Sequence, residues 1–242
     1  MANFDTNRLN QTNAQTGAVV DEGLRNYLLR VYNTMALGLA VTGVTALGTA
    51  TLAQSNPAFA QLIYASPLKW VIMLAPLAAV FFLSFRIQSM SLSAATATFW
   101  GYAAILGVSL SSIFLVFTGA SIVQTFFVTA ASFGALSLYG YTTKRDLTGM
   151  GSFLFMGVVG ILIASVVNIF LASSALQFVI SAVGVLVFAG LTAYDTQDIK
   201  NMYYEADDAD SMGKKALMGA LRLYLDFINM FMFLLQFLGN RE

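Results

Sequence analysis

Seven separate apolar runs, most near the ~20 residues a helix needs to cross a bilayer, constrain this chain more than any other feature. They are Val31 to Ala53, Trp70 to Phe85, Ala94 to Phe117, Ser121 to Tyr141, Met150 to Ala172, Gln177 to Asp195 and Ala216 to Leu238. The second is short unless it extends back to Ser66 or onward past Arg86, and Pro76 lies inside it. Backbone groups in hydrocarbon must find their partners internally, so runs of this kind are helices. The links Thr118 to Ala120 and Ser173 to Ala175 force the helices they join to be antiparallel neighbours. The expected fold is therefore an all-α membrane protein, a single seven-helix transmembrane domain over residues 19–242.

Composition narrows the function. Hydrophobic residues make up 58% of the chain and charged residues 10%, and the formal net charge is zero, which leaves no broad electrostatic footprint for nucleic acid. The chain has no cysteine and no histidine. Disulfides, thiol nucleophiles, Ser/His catalysis and the usual zinc ligands are thereby excluded, together with the usual pH switch. No cofactor is expected, and proton sensing near neutral pH falls to carboxylates.

Residues 1–18, rich in Asn, Gln and Thr, read as a disordered polar tail with no signal peptide before the first span. From Val20, the apolar positions Leu24, Tyr27, Leu28 and Val31 follow helical spacing and predict a short helix lying along the interface. Basic residues orient the spans. Arg8, Arg25, Arg30, Arg86, Lys144, Arg145, Lys200, Lys214 and Lys215 share one side, against Lys69 and Arg241 on the other. That asymmetry predicts an inner N-terminus and an outer C-terminus.

An ionisable group at membrane depth is costly and marks a functional site by default. Asp226 lies well inside the last span, and Arg222, Asp226 and Asn229 form a single polar stripe at i, i+4 and i+7. Asp195 closes the sixth span, and Asp198 follows one turn on, where water reaches it. Two acids in one apolar pocket cannot both ionise cheaply, so Asp195 and Asp226 are expected to titrate as a unit if the helices bring them together. Arg86 and Arg222 are the cations that reach them from the same side. Arg86 is the expected latch between helices, whereas Arg222 can snorkel or pair with Asp226 in its own helix. The acidic loop Glu205 to Lys215 fails the calcium-loop pattern, since Gly219 stands where a bidentate Glu is needed, and reads as solvated.

Ala193-Tyr194-Asp195-Thr196-Gln197, followed by Leu223-Tyr224-Leu225-Asp226-Phe227-Ile228-Asn229, resembles the two hallmark segments of the Bax-inhibitor family of transmembrane proteins. The Arg86-Ile87 segment and the seven-helix layout add to the likeness, which covers about Leu24 to Leu238. The resemblance implies six helices around a central seventh and a pH-sensitive calcium leak. Asp195 and Asp226 would be its gating pair and candidate calcium ligands, and Arg86 their latch. The short ending Gly239-Asn240-Arg241-Glu242 resembles the bacterial branch and implies the bacterial cytoplasmic membrane, with calcium or other cations as the transported partner.

An enzyme is the main rival class. Intramembrane aspartyl proteases also place two aspartates on neighbouring helices, one in a Tyr-Asp pair like Tyr194-Asp195, but their second motif is Gly-x-Gly-Asp. Leu223-Tyr224-Leu225-Asp226 lacks those glycines, and no Pro-Ala-Leu segment follows. A regulatory partner of a membrane protease is a further alternative that resemblance to some bacterial members permits.

Overall fold

A computed structural model describes residues 22–241, and the expected polar tail at 1–18 lies outside them. Among the described residues, seven helices are long and apolar enough to cross a membrane. They are α1 (Glu22–Ser55), α2 (Leu68–Arg86), α3 (Leu92–Leu110), α4 (Gly119–Thr142), α5 (Thr148–Leu171), α6 (Ser174–Asn201) and α7 (Ala209–Leu238). A one-turn helix at Pro57–Ala60 and a wide turn at Gln61–Ala65 join α1 to α2. No strand occurs among the described residues apart from one isolated bridge between Phe117 and Arg241.

The sequence spacing that predicts an interfacial helix from Val20 belongs instead to the start of α1. From Glu22 that helix runs unbroken into the span, and Tyr27, Leu28 and Val31 are buried in the core. An apolar stripe cannot lie on the bilayer surface when the bundle offers it a tighter partner.

Helix ends follow local chemistry. Ser91, Thr118 and Ser173 each accept a backbone N–H in the first turn of α3, α4 and α6, satisfying donors that hydrocarbon would leave orphaned. Ala172, with φ of 47°, ends α5 in the left-handed region, and the chain reverses within two residues into α6.

Helix α7 is the centre of the bundle. Of its apolar stretch 61% is buried inside the protein, against 33% or less in each other span. It packs against α6, α1, α4 and α3, whereas α2 leans mainly on α3 and α5 mainly on α6. The main partners of α7 in the surrounding ring are thus α6, α1, α4 and α3. Lipid-facing residues such as Phe85, Ile169 and Phe170 stay exposed because hydrocarbon solvates them as well as a core would.

Candidate functional site

The register between α6 and α7 decides what the two acid motifs can do. Asp208 caps α7, its Oδ2 accepting the N–H groups of Asp210 at 3.2 Å and Ser211 at 3.3 Å. Hydrogen bonds from Ser211 hold its carboxyl below the usual carboxylate range. The acidic loop is otherwise spent on ion pairs, Lys214 with Asp210 at 2.8 Å and Lys215 with Asp207 at 2.5 Å. From that turn the helices run antiparallel. A Cβ at Gly184 would strike the Phe233 ring, and one at Gly219 would come tight against Ile199, so both glycines mark close approach of the two helices. Ile199 opposite Gly219 places Asp195 level with the turn from Arg222 to Asp226.

Both helices extend beyond the apolar runs that mark them, α6 as far as Asn201 and α7 back to Ala209. Asp195 therefore sits inside α6 rather than at its end, and it is buried, as is Asp226. The guanidinium of Arg222 donates through Nη2 to Asp195 Oδ1 at 2.7 Å and through Nη1 to Asp198 Oδ2 at 2.5 Å. The Oδ2 atom of Asp226 is buried with no hydrogen-bond partner among the described residues. Asp226 stands one helical turn from Arg222 on α7, and Arg222 holds Asp195, so the two carboxyls border the same stretch of the α6–α7 contact.

These four groups form a ladder from water to the core. The Asp198 side chain is 34% exposed and that of Arg222 27%, but that of Asp195 only 9%. Asp226 lies deepest. Hydroxyls gather next to Asp195: Tyr32 meets Thr196 at 3.4 Å, and Thr196 donates to Ser137 at 3.4 Å.

The other sequence candidates sit elsewhere. Arg86 is exposed at the end of α2 and makes no ion pair among the described residues. The cation that meets Asp195 is on α7, not α2. Asn229 donates to the Leu225 carbonyl of its own helix at 2.8 Å and adds no group to the acid pair. Among the described residues no three acidic side chains gather where a metal ion could be held, so Asp195 and Asp226 are a pair and not a cage.

Two polar joints escape the sequence reading. Thr42 of α1 lies 2.6 Å from the Tyr224 hydroxyl and 2.9 Å from the Ala103 carbonyl, tying α1, α3 and α7 together. At the far end of the bundle, Gln177 donates to Gln236 at 2.6 Å, and Asn168 donates to Gln177 at 3.2 Å. Amides inside apolar runs are the signal that could have found them, because each needs a partner in hydrocarbon.

A seven-span helical bundle with two buried acids and an arginine at its central helix defines a polytopic membrane protein with charged groups in its core. Residues 24–242 match the family described as inhibitor of apoptosis-promoting Bax1, and the chain belongs to that Bax-inhibitor family. It is 48% identical over 231 residues to a protein of Rickettsia prowazekii, with 96% of each chain covered. It is also 48% identical over 223 residues to the inner membrane protein YbhL of Escherichia coli, covering 91% of this chain and 94% of that one. A Borreliella burgdorferi protein is 44% identical over 218 residues, covering 89% and 92%.

Proposed function

We propose that this protein is a pH-gated cation leak of the bacterial inner membrane, in which Asp195 and Asp226 form the gate and Arg222 the bolt. The observation that carries the reading is the Arg222–Asp195 ion pair beside a buried Asp226 whose Oδ2 has no hydrogen-bond partner among the described residues. While Asp195 is ionised, the guanidinium bridges α6 to α7 and closes the path. Acid protonates the pair and releases the Asp195 arm of Arg222, leaving only the more exposed Asp198 to hold the arginine to α6, so the bridge weakens at the level of the pair. Calcium suits carboxylates as a hard cation, but it loses affinity as they protonate, so opening and ion binding respond to acid in opposite directions. Arg86 has a place only in a different conformation, for among the described residues it is exposed and pairs with neither acid in this one.

Purified protein in liposomes with an ion-selective dye inside, read as external pH falls, tests the proposal. Flux that rises with acid supports it. Tight vesicles at every pH would leave a scaffold or a protease-regulating partner as the better reading.

An inner N-terminus and an outer C-terminus complete the proposal, on the basic-residue asymmetry alone. The odd number of spans puts the two ends on opposite faces. A tag after the C-terminus should be accessible from outside the cytoplasmic membrane, and one at the N-terminus should not.

A further inference from the structure

At the end of the bundle that carries Lys200, a polar cavity of about 260 Å³ opens between the α4–α5 loop and α6. Lys144, Arg145 and Lys200 line it together with Asp146, a net charge of plus two. None of the three cations is paired with a carboxylate among the described residues. Asp146 is already engaged, accepting the Thr148 N–H at the start of α5 at 2.9 Å, and those Thr148 hydrogen bonds hold its carboxyl below the usual range. The loop is not free to splay. Gln197 accepts from the Leu147 N–H at 2.8 Å and donates to the Arg145 carbonyl at 2.9 Å, clasping the basic segment to α6.

Beneath this cavity runs an apolar groove of about 330 Å³, between Tyr32 of α1 and the α4 face of Phe133, Gly134, Leu138 and Tyr141. The two meet at Tyr141. It lines the groove, its carbonyl accepts from Lys200 Nζ at 2.9 Å, and the ammonium lies 4.7 Å above its ring. Tyr139 and Tyr141 are both exposed at this level, the position of an interfacial aromatic belt.

A basic polar pocket beside an apolar groove, the two linked by the Lys200–Tyr141 contact, has the shape and charge of one kind of ligand. We infer that Lys144, Arg145 and Lys200 bind the phosphate of an anionic phospholipid, with one of its acyl chains lying along Gly134 and Leu138. Soluble phosphate would match the cations but would leave the groove unfilled. The site does not depend on the leak, although the groove also touches Ser137 and Tyr32, whose hydroxyls flank Thr196 next to Asp195. An occupied groove would therefore press on the wall of the acid pair.

Native mass spectrometry of the full chain in neutral detergent tests this, with phosphatidylglycerol and phosphatidylcholine of matched chains as probes. Phosphatidylglycerol should bind about tenfold or more tightly, and the exposed-loop variant K144Q/R145Q should remove most of that preference. Gly134→Leu fills the groove without striking the backbone, because a Cβ there meets open space. It should weaken both lipids severalfold and leave the headgroup preference intact. Glycerophosphoglycerol, the headgroup without chains, should compete poorly. Equal binding of the two lipids, or phosphatidylglycerol binding unmoved by either variant, would overturn the inference. Competition by the free headgroup as strong as by the intact lipid would instead identify a soluble-anion site. Because binding is read without any ion flux, failure here is distinguishable from failure of the leak.

Discussion

Arg222 and Asp226 stand one turn apart on α7, yet the arginine reaches across to α6 and leaves its own helix's acid without a cation. Side chains on a helix tilt toward its N-terminus, so Arg222 points back to Asp195 and Asp198 and away from Asp226. The consequence is a bolt between helices in place of an intrahelical salt bridge.

Arg222→Ala should raise basal flux and flatten its pH response, and Arg86→Ala should change either much less. A double-mutant cycle between Arg222 and Asp195, read by thermal unfolding, should give a coupling of about 1–3 kcal/mol. Equal flux from both arginine variants would remove the bolt from α7.

Asp195→Asn and Asp226→Asn should each abolish most of the pH dependence, and the double variant should add little to either one, because both buried carboxyls border the same turn of α7 at Arg222. The proton-uptake curve in detergent supplies the check without flux. A profile that survives both substitutions would leave the acids as separate vestibule residues.

Gly140 is where α4 and α6 approach most demandingly, since a side chain there would strike the backbone of Ala193, two residues from Asp195. Gly140→Ala should cost about 1–3 kcal/mol of stability by forcing the helices apart. Gly134→Ala on the same helix meets nothing and should be neutral or stabilising, by up to about 1 kcal/mol. Thermal melting of the two variants side by side separates a contact effect from a general intolerance of change in α4.

The Asp208 cap carries its own pH signature. A carboxyl held below its ordinary range stabilises the folded chain above its unfolded pKa and loses that contribution as pH falls through the folded value. Asp208→Ala should therefore lower the melting temperature at pH 7, with the deficit fading as the pH falls below the ordinary Asp value of about 3.9. Asp208→Asn should retain most of the capping at pH 7.

The number of spans, their antiparallel order and the two acid motifs are legible in the sequence, because hydrocarbon allows a long apolar run only one backbone solution. The family resemblance is legible for a related reason: its hallmark residues are polar groups in places where polarity is expensive, so they stand out. Tertiary structure decided which groups meet. The choice of Arg222 over Arg86 depends on the register of α6 on α7, set by Gly219 against Ile199 and Gly184 against Phe233, contacts that no local periodicity encodes. The placement of Asp195 and Asp226 on one stretch of the α6–α7 contact depends likewise on both helices running past their apolar cores, as far as Asn201 and back to Ala209. Hydropathy measures what a residue prefers as its solvent. It carries no information on which neighbour, 27 positions away, supplies the hydrogen bond.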